Sequence, residues 1–165
     1  MTIIRFLLAP ILGIVVFMFT LGGIEAIGDA VYPPPAEIST LAIELTNAAA
    51  SRDQAALENI QARLGVAMSA YLESAPVATL FVIVFAWVAA AFFGGLAAAG
   101  TTPVLRIPMA VFIGIIDVMS IMVATSQYAH PIWMPVVGVV GAIIMSLLAG
   151  MLVSRMTRPK ASITT

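Results

Sequence analysis

The sequence predicts an all-α fold: a polytopic membrane four-helix bundle with an amphipathic helical insertion between its first and second membrane helices. Hydrophobic residues make up 62% of the 165 residues and charged residues only 9%, whereas a soluble domain carries about 25% charge. Four apolar stretches are long enough to cross a bilayer, and the polar stretch has a helical hydrophobic period. We therefore expect residues 1–165 to form a single membrane domain.

Apolar runs place the membrane helices at residues 6–28, 77–99, 107–127 and 132–153, since a span needs about 20 such residues. Prolines 33–35 lack amide donors and should end the first helix. A cleaved signal peptide is the alternative for the first run. The apolar region of such peptides has only about 7–15 residues, so we expect an uncleaved first helix.

The polar stretch between the first two spans covers residues 36–75. Ile38 and Leu41 fit one face of a first helix, and Ile60 and Leu64 fit one face of a second. The run Ser51-Arg52-Asp53-Gln54 between them has the pattern of a capping box that opens the second helix. These features predict two amphipathic helices that lie on the membrane surface or fold over the bundle.

Charge is distributed unequally between the two sides of the membrane. Four spans place both termini on one side, which carries the basic residues Arg5, Arg106, Arg155, Arg158 and Lys160. The other side carries Asp29, Glu37, Glu44, Asp53, Glu58 and Glu73 against Arg52 and Arg63. Because cytoplasmic loops carry an excess of Lys and Arg, we expect the basic side to face the cytoplasm. Both termini and the tail 154–165 would be cytoplasmic, and residues 36–75 periplasmic.

Asp117 is the charged residue inside the third span and lies near its middle. An ionisable group at that depth is costly, which makes it a candidate functional site. Helical spacing places Asp117 on one face with Ala110, Gly114, Ser120 and Ala124. This face is small and polar, so we expect it to turn toward other helices.

The surroundings of Asp117 allow three interpretations. Trp87 lies at a similar depth in the second span, and its indole N–H is a candidate donor to the Asp117 carboxylate, with Ser120 and Ser146 as further donors. Asp117 then acts as a hydrogen-bonded pin between helices, as part of a proton or cation relay, or as a contact for a partner. A relay uses several titratable groups along a path, and the cytoplasmic half of the spans has none.

Small residues recur at every fourth position in the second and fourth spans. The two rows are Ala86, Ala90, Gly94 and Ala98, and Gly138, Ala142, Ser146 and Gly150. Small side chains let helix backbones approach closely, which drives helix association in lipid. Both rows are therefore expected to be helix-packing contacts.

Glu25, Asp29 and His130 all fall near the periplasmic mouth of the predicted bundle. Carboxylates and an imidazole bind divalent metals and carry out acid–base chemistry. The alternative is that His130 caps the fourth helix before Pro131. The chain has no cysteine, which excludes disulfides and thiolate metal sites, and we expect no metal and no cofactor.

Several short motifs carry a resemblance to a known family. They are Glu25 with Tyr32-Pro33-Pro34-Pro35, Ala86-Trp87, Gly94-Gly95 and His130-Pro131-Ile132-Trp133. With them the chain resembles a widespread, uncharacterised family of small four-helix bacterial inner-membrane proteins. The resemblance covers both ends of the bundle and not residues 36–75. It implies the fold and the membrane location but no activity, and in similar chains an amide often stands at the position of Asp117.

The sequence favours a structural or accessory protein of interaction type, with no defined biochemical activity. Its expected partners are the lipid bilayer and either another membrane protein or a second copy of the chain. A small transporter or proton-coupled conduit centred on Asp117 is the alternative. The motifs G-x-S-x-G and H-E-x-x-H, a glycine-rich phosphate loop and a basic patch are all missing from the sequence, so we expect neither an enzyme nor a nucleic-acid partner.

Overall fold

The computed structural model describes residues 2–157, which are all-α. The helices are α1 (Thr2–Val31), α2 (Ala36–Ser51), α3 (Gln54–Ser74), α4 (Val77–Thr101), α5 (Arg106–Gln127) and α6 (Trp133–Met156). Helices α1, α4, α5 and α6 are long and apolar enough to cross a membrane. This confirms the predicted helical class and the four apolar helices. Arg158 and Lys160 of the predicted cytoplasmic tail lie outside the described residues.

Helix α4 is central among the four apolar helices because it packs against α1, α5 and α6. Helices α5 and α6 also pack against each other, and α1 makes a smaller contact with α5. The end where α1 begins, α4 meets α5 and α6 ends carries Arg5, Arg106 and Arg155. We call it the arginine end. The opposite end, where α2 and α3 lie, is the hairpin end.

The two rows of small residues are buried in helix contacts. A Cβ atom added to Gly94 would lie 2.8 Å from the Phe17 Cβ atom and 2.9 Å from the Gly13 carbonyl oxygen, so this part of the α4 row touches α1. A Cβ atom added to Gly150 would lie 2.8 Å from the Ile107 Cα atom, so the α6 row touches the start of α5. Only residues without long side chains allow such close approach of helix backbones.

Helices α2 and α3 form a hairpin with its own apolar core. The core contains Ile38, Leu41, Ala48, Ile60 and Leu64, which includes the periodic positions predicted for the two helices. A helix with one apolar face must bury it against another element. In this hairpin, each of the two amphipathic helices covers the apolar face of the other.

The connection between α2 and α3 corrects the predicted capping box. Ser51 is the last residue of α2, and its hydroxyl donates to the Ala48 carbonyl oxygen at 3.0 Å. Arg52 ends α2 in the left-handed conformation, with φ 56°. Asp53 is the N-cap of α3, and its carboxylate accepts a hydrogen bond from the Ala56 N–H at 3.0 Å. Asp is among the strongest N-cap residues, so the cap starts two residues later than expected.

The hairpin folds against the ends of the apolar helices. The Ser69 hydroxyl accepts a hydrogen bond from the Ala129 N–H at 3.0 Å, which ties α3 to the connection between α5 and α6. Leu72 of α3 belongs to the same buried cluster as Leu80 and Trp87 of α4. These contacts hold α3 over the hairpin end and create the walls of a cavity there.

Candidate functional site

Asp117 is fully buried, and neither carboxylate oxygen has a hydrogen-bond partner among residues 2–157. It lies on a buried face of α5 with Ala110, Ile113, Gly114 and Ile121. The predicted hydrogen bond from the indole of Trp87 is therefore wrong. Equal depth along two helices is not sufficient for contact, because the direction of each side chain around its helix axis also decides it.

The two serines proposed as donors to Asp117 bond to their own helices instead. The Ser120 hydroxyl donates to the Ile116 carbonyl oxygen at 3.0 Å, and the Ser146 hydroxyl donates to the Ile143 carbonyl oxygen at 3.0 Å. Such local bonds satisfy a hydroxyl without a partner helix. Ser146 is buried but Ser120 is exposed, so the prediction that Ser120 faces the interior is wrong.

Trp87 packs toward the hairpin end. A Cβ atom added to Gly138 of α6 would lie 2.6 Å from the Trp87 ring, and Ile121 and Met134 belong to the same buried cluster. The ring centroid of Trp87 lies 6.1 Å from that of His130. Trp87 therefore belongs with the residues of the predicted periplasmic mouth rather than with Asp117.

A cavity of about 480 Å³ lies under the hairpin, and Glu25, Asp29 and His130 all line it. Further lining residues come from α1, the prolines after it, the hairpin, α4 and the end of α5; they include Tyr32, Ser39, Met68, Tyr71, Leu72, Thr79, Trp87, Ala124 and Tyr128. We call this space the hairpin cavity. The three mouth residues predicted from sequence thus share one cavity.

The hairpin cavity does not present a metal site. Within residues 2–157, no group of three or more His, Cys, Asp and Glu side chains is placed to hold a metal ion. Zinc and similar ions need several ligands at about 2.0–2.3 Å. Glu25, Asp29 and His130 therefore share a cavity without the geometry that the metal-binding hypothesis requires.

His130 is fixed in the cavity wall by its backbone neighbour. Its Nδ1 atom lies 2.7 Å from the Tyr128 carbonyl oxygen. A carbonyl oxygen only accepts hydrogen bonds, so Nδ1 carries the hydrogen and Nε2 stays available to another group. The alternative role as a helix cap is wrong, because α6 has Ile132 at its N-cap and no side-chain hydrogen bond there.

Thr79 is a cavity residue that the sequence did not single out. It is only 8% exposed, and its Oγ1 atom has no hydrogen-bond partner among the described residues. A buried hydroxyl usually has a partner. A threonine in the first turn of an apolar helix gives no signal in the sequence, because its burial depends on how other helices pack against α4. Met68 and Tyr71 of α3 continue the predicted apolar face of Ile60 and Leu64, and both also line the cavity.

Comparison with protein-family models, curated proteins and solved structures finds no match to this chain. The family resemblance drawn from short motifs therefore stays a prediction. The features that bear on function are the hairpin cavity, the buried carboxyl group of Asp117 and the outer face of α1.

Proposed function

We propose that this chain is a structural or accessory inner-membrane protein whose α1 contacts another membrane helix. The glycines of α1 support the proposal. A Cβ atom on Gly13 would lie 2.8 Å from the Ala98 Cβ atom, and one on Gly28 would lie 2.6 Å from Val82 Cγ1, both in α4. A Cβ atom on Gly22 or Gly23 would meet nothing within 4 Å. Two glycines of α1 thus serve packing inside the chain, and two do not.

The open glycines belong to a row of exposed small residues. Gly22, Ala26 and Ala30 recur every fourth position on α1, and all three are exposed. Inside the chain, Gly94 and Gly150 in comparable rows meet a neighbouring helix within contact distance. Since small residues let helices approach closely in lipid, the open row of α1 suits a second helix. That helix would come from another membrane protein or from a second copy of the chain.

The proposed arrangement is a four-helix bundle in a bacterial inner membrane with the hairpin in the periplasm. Charge supports it, since Arg5, Arg106 and Arg155 lie at the arginine end and acidic residues predominate in the hairpin. Cytoplasmic segments carry the excess of basic residues. The arginine end, with both termini, would therefore face the cytoplasm, and lipid would surround the exposed apolar side chains.

Cross-linking in native membranes tests the contact of α1. The chain has no cysteine, so single cysteines report on single positions. We expect Gly22→Cys and Ala26→Cys to form disulfide dimers on oxidation, or adducts with a partner through a short thiol-reactive linker. Val137→Cys is the matched control, because Val137 is exposed on α6 near the same end.

The mass of the product distinguishes a second copy from a different protein. Equal cross-linking at Val137 would indicate random collisions, and the absence of cross-links at both α1 positions would contradict the proposal. The background protein without cysteine should give no product under either treatment.

The second candidate is a proton-coupled conduit, and the unpartnered carboxyl group of Asp117 favours it. Between Asp117 and the arginine end, however, the described parts of the long helices carry no other acidic residue or histidine. Proton flux into proteoliposomes under an imposed potential tests this function. Flux above that of empty vesicles, abolished by Asp117→Asn, would favour the conduit, because asparagine keeps the shape of the side chain but carries no titratable proton.

A further inference from the structure

The hairpin cavity holds two acidic side chains without a basic one. Glu25 and Asp29 are four residues apart on α1, so they lie on neighbouring turns of one helix face. Among residues 2–157, no Lys or Arg lines the cavity, and the ion pair found there joins Arg63 to Glu44 within the hairpin. Like charges at this spacing repel each other. A cation in the cavity would remove that repulsion.

The remaining walls suit an organic cation better than a metal ion. Trp87, Tyr32, Tyr71 and Tyr128 bring four aromatic rings to the lining. Aromatic faces attract cations, and cages of such rings recognise quaternary ammonium groups. Most of the other lining side chains are apolar, including Leu72, which suits the alkyl groups of such an ion. A metal ion would instead require the clustered ligands that the described residues do not provide.

Thr79 and His130 add polar residues to the cavity wall. Thr79 is more than nine-tenths buried, and its Oγ1 atom has no partner among the described residues. Leaving a buried hydroxyl without a hydrogen bond is unfavourable. The His130 ring, 6.4 Å from the ring of Tyr128, offers a second polar atom at Nε2.

We propose that the hairpin cavity binds a small organic ammonium ion. The carboxylates of Glu25 and Asp29 balance its charge, and the aromatic rings cover its alkyl groups. The volume of about 480 Å³ falls within the range of small-molecule pockets, about 300–1,000 Å³. The ammonium group is either that of a soluble compound or that of a lipid headgroup. The site does not depend on the proposed contact of α1 with a partner.

The first arm of the test separates charge from shape. Choline and 3,3-dimethyl-1-butanol have nearly the same shape, but only choline is charged. The full chain in maltoside detergent carries Trp133→Phe, which leaves Trp87 as the single tryptophan. We expect choline to change the Trp87 fluorescence saturably and the neutral alcohol to bind at least about tenfold more weakly, a difference of ~1.4 kcal/mol. Calorimetric titration of the wild type provides the same comparison without the substitution.

The second arm separates the site from general acidity. Glu25→Gln combined with Asp29→Asn should weaken choline binding at least about tenfold. Glu58→Gln is the matched control, because Glu58 is an exposed acidic residue of α3 outside the cavity, and it should leave binding unchanged. Equal binding of the two ligands would overturn the proposal. Equal loss in the control, or no loss in the double variant, would overturn it as well.

The third arm identifies the source of the ammonium group. Nanodiscs of phosphatidylglycerol contain no ammonium headgroup, whereas phosphatidylethanolamine supplies one. Choline binding in both types of nanodisc supports a soluble ligand. Binding that occurs in phosphatidylglycerol and is suppressed in phosphatidylethanolamine supports a lipid headgroup. Absence of binding in both types contradicts the site.

Discussion

The half of the protein next to the arginine end and the half next to the hairpin end are packed in different ways. We call them the arginine half and the hairpin half. In the arginine half, Ala99, Ala110 and Ala149 form a fully buried cluster, and a Cβ atom on Gly95 would lie 3.3 Å from the Ala149 Cβ atom. In the hairpin half, aromatic side chains such as Trp87 surround a cavity of about 480 Å³. Small side chains bring helix backbones into contact, whereas large ones hold helices apart. The same helices therefore form a tight core at one end and a site at the other.

The largest expected effect comes from enlarging a small residue in the arginine half. Ala149→Leu adds three carbon atoms where α4, α5 and α6 meet, and Ala149 is fully buried. Overpacking of this kind costs about 1–3 kcal/mol, so the thermal unfolding temperature in detergent should fall. Ala78→Leu is the matched control, because the same change occurs at an exposed position of α4. Equal destabilisation by both would show that the arginine half has room to adjust.

Asp117 lies in the middle of α5, between the two halves. Its replacement gives the second-largest expected effect, which is an increase in stability. Leucine has the same number of side-chain heavy atoms as aspartate, with the same branching, but no polar atom. Neither carboxylate oxygen has a partner among the described residues, and an unsatisfied buried polar group costs ~1–3 kcal/mol. Asp117→Leu removes both oxygens, so it should raise the free energy of unfolding by ~1 kcal/mol, the lower end of that range. Asp117→Asn keeps two unpartnered polar atoms and should stay near the wild type.

The ordering of the two Asp117 variants decides between two descriptions of the site. Chemical denaturation in mixed micelles measures it. If the leucine variant is less stable than the asparagine variant, a polar side chain at position 117 contributes to stability, and Asp117 is a hydrogen-bonded pin between helices.

The sequence predicted the helices better than their contacts. The lengths of the apolar runs and the positions of the prolines predicted four long helices, because both signals are local in the sequence. The orientation of α5 is different. Spacings of three and four residues join Asp117 to Gly114 and Ser120, but they join it equally well to Ile113 and Ile121. The structure buries the isoleucines and exposes Ser120, and only packing against other helices decides between the two faces.

The sequence did not predict the cavity, but it grouped three of the lining residues at the ends of the spans. Glu25, Asp29 and His130 could be grouped because topology alone brings helix ends together. Thr79 and Tyr71 could not, since their place in the lining depends on how the hairpin folds against α4 and the α5–α6 connection. That packing joins residues far apart in the chain, and no local pattern encodes it.

The smallest expected effect on stability comes from the same change, alanine to leucine, made in the hairpin half. Ala124 is half-buried on α5 and lines the hairpin cavity, so the leucine side chain of Ala124→Leu extends into open space. The free energy of unfolding should change by less than ~0.5 kcal/mol, as for an ordinary surface substitution. Choline binding should weaken, because the added carbons occupy the space of the ligand. Thermal unfolding and fluorescence titration of one preparation measure both quantities. A loss of stability as large as that of Ala149→Leu would mean that the cavity closes in solution, and unchanged choline binding would place the ligand elsewhere.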